Sequence, residues 1–182
     1  MLEKLKKKAF YAQGLYFSCK RCSTCCRFEE GFVFLNSNDI VTLSTALDMK
    51  YDIFVKIYCR WVPVKNGKSK LSLKEKSNYD CIFWNSELSA KTCKGQDCQG
   101  QDHAPIQDGC SVYEYRPLQC RMFPFWASVV GDEKSWEMTA QSCPGINQGD
   151  WHSVDSIKSR LAIQQKQAVV SRNEFLMANG EA

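Results

Sequence analysis

At 182 residues, with a net charge of +4, 44% apolar and 24% charged residues, the chain has the length and balance of a globular domain able to bury its own core. Its aromatic content of 12% and small charge imbalance exclude a disordered chain. Apolar runs are too short for a transmembrane helix, and the opening MLEKLKKKAF lacks the apolar stretch and cleavage site of a signal peptide, so a cytoplasmic protein without membrane insertion is expected.

Residues 1–16 read as a basic helix whose lysines form a solvated face. Residues 17–30 form a cysteine-rich loop, and Gly31–Leu35 is a short strand candidate. Asn36 and Asp39 then supply capping side chains, with Ile40, Leu43 and Leu47 at helical spacing behind them. A second helix follows, with Ile53, Phe54, Ile57 and Tyr58 on one face. Between Trp61 and Trp84 the signals are β, with a turn at Asn66-Gly67 and YDCIFW as a further extended segment. Residues 85–109 are polar and read as an excursion loop.

YEYRPLQC predicts a helical turn broken at Pro117, and FPFWASVV with KSWEMTA predicts a hairpin turning at Gly131-Asp132. The pattern Val154, Ile157, Leu161, Ala168, Val169 and Leu176 predicts one long amphipathic helix over 153–177, ending before Gly180. The expected fold is small α+β: one domain of short strands and hairpins, several helices and a long C-terminal helix, organised around cysteine-ligated metal sites. Its segments are a basic N-terminal helix (1–16), a cysteine-cluster chelating region (17–146) and a C-terminal helix packed on the same domain (147–182).

Eleven cysteines are the abnormal feature. In a reducing compartment so many thiols point to metal binding rather than cross-linking, and the odd count would leave one unpaired. The run CKRCSTCC places Cys19, Cys22, Cys25 and Cys26 at two-residue spacings that aim successive thiolates at one centre. Similar spacing marks ferredoxin runs, where a cysteine followed by proline completes the set, as Cys143-Pro144 does here. Adjacent Cys25 and Cys26 point to opposite faces of an extended segment and suit two centres or a polynuclear one; a vicinal disulfide would need strain and an oxidant. Lys20, Arg21 and Arg27 near this run, and Arg116 and Arg121 near Cys120, are expected to favour thiolates or to support the ligands.

The strings CKRCSTCCR, CIFW, CSVYEYRPLQCRMFPFW and CPG, in that order over residues 17–146, resemble the CxxCxxCC family of zinc- or iron-chelating, YkgJ-like proteins. The resemblance implies as metal ligands Cys19, Cys22, Cys25, Cys26, Cys81, Cys110, Cys120 and Cys143, enough for two centres of four. A related cluster occurs in longer flagellin lysine N-methylases, with the likeness confined to the cluster. This chain departs from the pattern in a longer insert carrying Cys93, Cys98 and His103, read as a polar surface loop with incidental thiols or a small extra site. Cys59, among apolar residues, reads as a buried small hydrophobe.

The expected cofactor is an iron–sulfur cluster or zinc, and the expected role is metal binding with a redox or accessory function. The alternatives are a structural zinc module that mediates protein interaction, or part of a protein-modifying, lysine methylase-like system. With two histidines and no phosphate or dinucleotide fingerprint, the chain names no catalytic residue and no small-molecule substrate. Two four-thiolate centres would bring it near neutrality, which argues against nucleic acid and leaves an unidentified protein as partner.

Overall fold

The computed structural model describes residues 9–85 and 109–178. In chain order its elements are β1 (Leu15–Phe17), α1 (Ser37–Ala46), α2 (Tyr51–Tyr58), β2 (Cys59–Pro63), β3 (Ser69–Leu73), α3 (Leu118–Met122), α4 (Glu133–Ala140), β4 (Ile146–His152), α5 (Val154–Lys166) and α6 (Arg172–Ala178). The fold is α+β, with six α-helices and two small antiparallel sheets among the described residues. The chain divides into two compact units, one of residues 1–22 and 122–166 and one of residues 23–121 and 167–182.

The larger unit is built on local signals that close early. The side chain of Asn36 accepts the Asp39 amide at 2.9 Å and the Asp39 carboxylate accepts the Asn36 amide at 3.1 Å, a reciprocal cap that starts α1. The helix then buries Ile40 and Leu43, while α2 buries Phe54 and Val55 against them. The hairpin β2–β3 pairs Cys59 with Leu73 and Pro63 with Ser69 around a helical turn at Lys65–Gly67, where Gly67 takes a φ of 67°.

Segment 31–35 does not form a full strand. Phe34 bridges Ser72, the Leu35 amide donates to Leu71 O at 3.0 Å, and the Leu73 amide donates to Val33 O at 3.0 Å. YDCIFW is likewise reduced to single bridges, Glu75 with Cys81 and Trp84 with Cys110, because a turn between Cys81 and Trp84 interrupts it.

The expected helix over 153–177 is two helices. The break spans residues 167–171 and includes Val169 and Val170, β-branched residues better suited to extended backbone. The Val170 amide donates to Leu35 O at 2.9 Å and its carbonyl accepts the Leu71 amide at 3.0 Å, so this stretch works as strand-like pairing. Ser171 and Glu174 then restart the helix, the serine hydroxyl donating to the carboxylate at 2.7 Å. On α6, Phe175 packs against Tyr51 and Trp61 with ring centroids 5.5 Å away in each case.

The smaller unit pairs β1 with β4 in the register Leu15↔His152, Tyr16↔Trp151 and Phe17↔Ile146, with an irregularity between Tyr16 and Phe17. A Cβ at Gly145 would run into the Ser18 carbonyl oxygen, so the close approach of the two segments depends on glycine there. Two expectations change in this unit. The described part of residues 1–16 is a short 3-10 turn (Phe10–Gln13) followed by β1, not a continuous helix, and residues 1–8 lie outside the described residues. KSWEMTA is helical rather than the return strand of a hairpin, because Asp132 caps α4 by accepting the Ser135 amide at 2.9 Å. The core of this unit is Phe17, Phe125, Val129, Val130, Trp136, Ile146 and Ile157. No helix among the described residues is long and apolar enough to cross a membrane.

Candidate metal centre

Backbone geometry in the larger unit gathers cysteines from distant parts of the chain. Ser23, with a left-handed φ of 61°, turns the backbone into the single 3-10 turn Thr24–Cys26, where the Cys26 amide and thiol both donate to Ser23 O at 3.1 Å. The Cys26 carbonyl then accepts the amide of Cys81 at 2.9 Å. Cys81 opens a tight turn closed by Trp84 N–H to Cys81 O at 2.8 Å, and the Trp84–Cys110 bridge brings in the next cysteine. Cys120 rides on α3, whose start is pinned by Leu118 N–H to Asp39 Oδ1 at 2.8 Å. The Gln119 amide group fixes the same helix, accepting from the Phe34 amide at 3.0 Å and donating to Phe32 O at 2.7 Å.

These thiols feel one another. Cys26 is pushed far up, first by its hydrogen bond with the Cys25 sulfur, then by burial and by the charges of Cys25, Cys81 and Cys110. Burial, with the Cys110 and Cys25 charges adding and the Phe83 amide opposing, raises Cys81 to about 11. Cys120 is raised by burial and then by Cys81, Cys25 and Cys110, with the Arg116 guanidinium opposing. Cys26, Cys81 and Cys120 thus lie where negative charge is disfavoured, with the Cys25 and Cys110 sulfurs contributing to that field.

Among the described residues, no three or more His, Cys, Asp or Glu side chains stand in an arrangement ready to hold a metal ion. The donor set nonetheless fits a thiophilic ion chemically: soft sulfur is what zinc and iron–sulfur clusters take, and a bound cation supplies the charge the thiolates lack.

The remaining expected ligands lie in the smaller unit. Cys19 and Cys22 are exposed, and Cys143 is half-buried against the Phe17–Phe125–Trp136 cluster. The Ser18 amide donates to Gly145 O at 3.2 Å, which ties the residue before Cys19 to the residue two beyond Cys143. Cys93, Cys98 and His103 lie outside the described residues. Cys59 is a core residue of β2, 5% exposed, its thiol raised to about 12 by burial. His152 places Nε2 2.9 Å from Phe17 O and its ring against Phe125 at 4.7 Å, a packing role.

The arginines divide by role. The Arg116 charge opposes the rise at Cys120, and its guanidinium lies 3.6 Å from the centroid of the Tyr113 ring. Arg27 is committed instead to an ion pair with Asp80, Nε to Oδ1 at 3.1 Å. Asp80 escaped the sequence reading, although the Asn78-Tyr79-Asp80 string before CIFW carries an Asx-type turn signal: the Asp80 amide donates to Asn78 Oδ1 at 3.2 Å. Glu75 also escaped it; this carboxylate receives Arg60 at 2.6 Å and the Gly31 amide at 2.6 Å. Of the aromatics, Phe125 and Trp136 are plain core, while Trp84 stacks on Arg27.

Comparison with known families finds a match over residues 18–144 to the model described as "CxxCxxCC: Putative zinc- or iron-chelating domain". No solved structure matches the chain at significance.

Proposed function

Since this chain belongs to the CxxCxxCC family of zinc- or iron-chelating domains, we propose that it holds iron, as an iron–sulfur cluster, on clustered cysteine thiolates. The donors of this centre in this reading are Cys25, Cys26, Cys81, Cys110 and Cys120, all of the larger unit, while Cys19, Cys22 and Cys143 belong to the smaller one. The observation that carries it is the backbone pairing that gathers these cysteines, the Cys81 amide on Cys26 O at 2.9 Å and the Trp84–Cys110 bridge. Five donors exceed the four that a mononuclear zinc site takes, which in this reading favours a polynuclear centre. When bound, such a cluster supplies one-electron exchange.

The chain's own part is to release thiol protons on loading, to hold the sulfurs by the Cys26–Cys81 and Trp84–Cys110 backbone pairings, and to limit water with the aromatic residues around them. Metal loading on so many thiolates suits a reducing, cytoplasmic setting. A second reading, a structural zinc module that presents a protein-binding surface, is favoured by the same donors if only four of them ligate.

Anaerobic purification followed by iron, zinc and sulfide analysis tests both. A brown protein with iron and sulfide supports the cluster. A colourless protein with zinc supports the module and overturns the cluster. A folded, metal-free monomer that takes up neither metal overturns both.

A further inference from the structure

Three of the five donors adjoin residues of a second constellation. Arg27 follows Cys26, Asp80 precedes Cys81, and Trp84 is bridged to Cys110. Arg27 Nε donates to Asp80 Oδ1 at 3.1 Å, and its guanidinium lies 3.6 Å from the centroid of the Trp84 ring and 4.4 Å from that of Phe28. Asp80 is 1% exposed, and its second oxygen accepts Asn78 Nδ2 at 2.8 Å, so both carboxylate oxygens are bonded. Asp80 is buried and Arg27 partly exposed, so removing Arg27 would strand a buried carboxylate. Simultaneous stacking and directional bonding call for the planar guanidinium rather than an ammonium. Asp80 neutralises the Arg27 charge, which leaves placement as what Arg27 contributes to the sulfurs.

We infer that Arg27 is a positioning residue for the metal centre: a guanidinium latch, closed on Asp80 and Trp84, that fixes the Cys25-Cys26 turn beside Cys81 and Cys110 before any ion binds. This rests on the reading of those thiols as ligands.

The test compares the full chain with Arg27→Gln and Arg27→Lys by zinc stoichiometry, zinc affinity in chelator competition, and alkylation rates of individual cysteines in the metal-free protein. Arg27→Gln is expected to bind the same number of zinc ions about 10–100-fold more weakly. Its Cys25 and Cys26 are alkylated faster while core Cys59 keeps its rate, and Arg27→Lys behaves like Arg27→Gln. Unchanged affinity and alkylation, full rescue by lysine, or a parallel rise at Cys59 that marks general loosening would each overturn the latch. A wild-type chain that takes up neither zinc nor iron defeats the ligand reading instead, and the latch is then judged on the alkylation rates alone. If Arg27→Gln does not fold, the same three measurements on Arg27→Lys decide.

Discussion

The amide of Cys81 donates to the carbonyl oxygen of Cys26 at 2.9 Å, so the main chain itself holds two of the coupled thiols side by side. That bond does not involve sulfur and survives replacement of either side chain. Cys26→Ser or Cys81→Ser is therefore expected to lower bound metal per chain and to remove the metal-induced rise in melting temperature. Metal-free stability should stay within about 1 kcal/mol of the wild type. Parallel metal analysis and melting, with and without chelator, check this.

Cys59 provides the contrast. It is a packed core residue of β2, and Cys59→Ala opens a small cavity expected to cost about 1 kcal/mol. Metal per chain should be unchanged. A Cys59 variant that loses metal would mean the donors are wrongly chosen.

Asn36→Ala removes one arm of the reciprocal cap at α1 while leaving the Asp39 bond to Leu118 available. The expected loss is about 1 kcal/mol, read as a lower denaturant midpoint with an unchanged slope.

Val170→Pro deletes the N–H that Leu35 O accepts. Stranding that carbonyl in the core is expected to cost about 1–3 kcal/mol. Denaturant unfolding of the metal-free chain measures it, and a loss no greater than that of an exposed-site substitution would contradict the strand-like pairing.

Bonds from the Ser135 amide and hydroxyl hold the Asp132 carboxyl below its ordinary 3.8. A carboxyl lowered by folding contributes stability that is fully present above 3.8 and is lost as pH falls through the lowered value. Protection of the Ser135 amide against hydrogen exchange is expected to fall only below pH 3.8 and to lose this step in Asp132→Asn.

Local signals carried much of this structure in plain sight. Asn36 and Asp39 announce α1, Asn66-Gly67 announces the turn of β2–β3, and Pro117 marks the break before α3. The failures came where long-range pairing overrode local pattern. Ala168 and Val169 fit a helical stripe in sequence, yet the neighbouring Val170 backbone is claimed by Leu35 and Leu71. KSWEMTA follows a turn signal that serves as a helix cap, and INQGDWH, rich in polar and turn residues, gives no strand alternation although it forms β4. At the candidate site the cysteines were visible as a spacing pattern. Which of them share a field was not, because that depends on bridges such as Trp84–Cys110. Asp80 was hidden for the same reason: a single carboxylate before CIFW has no sequence mark that it will be buried under an arginine.

The two units are threaded through each other along the chain, since one uses residues 1–22 and 122–166 and the other 23–121 and 167–182. During synthesis neither can be finished until the ribosome has passed residue 121, so Cys25 and Cys26 emerge long before Cys110 and Cys120, which lie in the same unit. A nascent chain must therefore carry its earliest thiols unsheltered, and a protease nick anywhere in 23–121 severs both units at once.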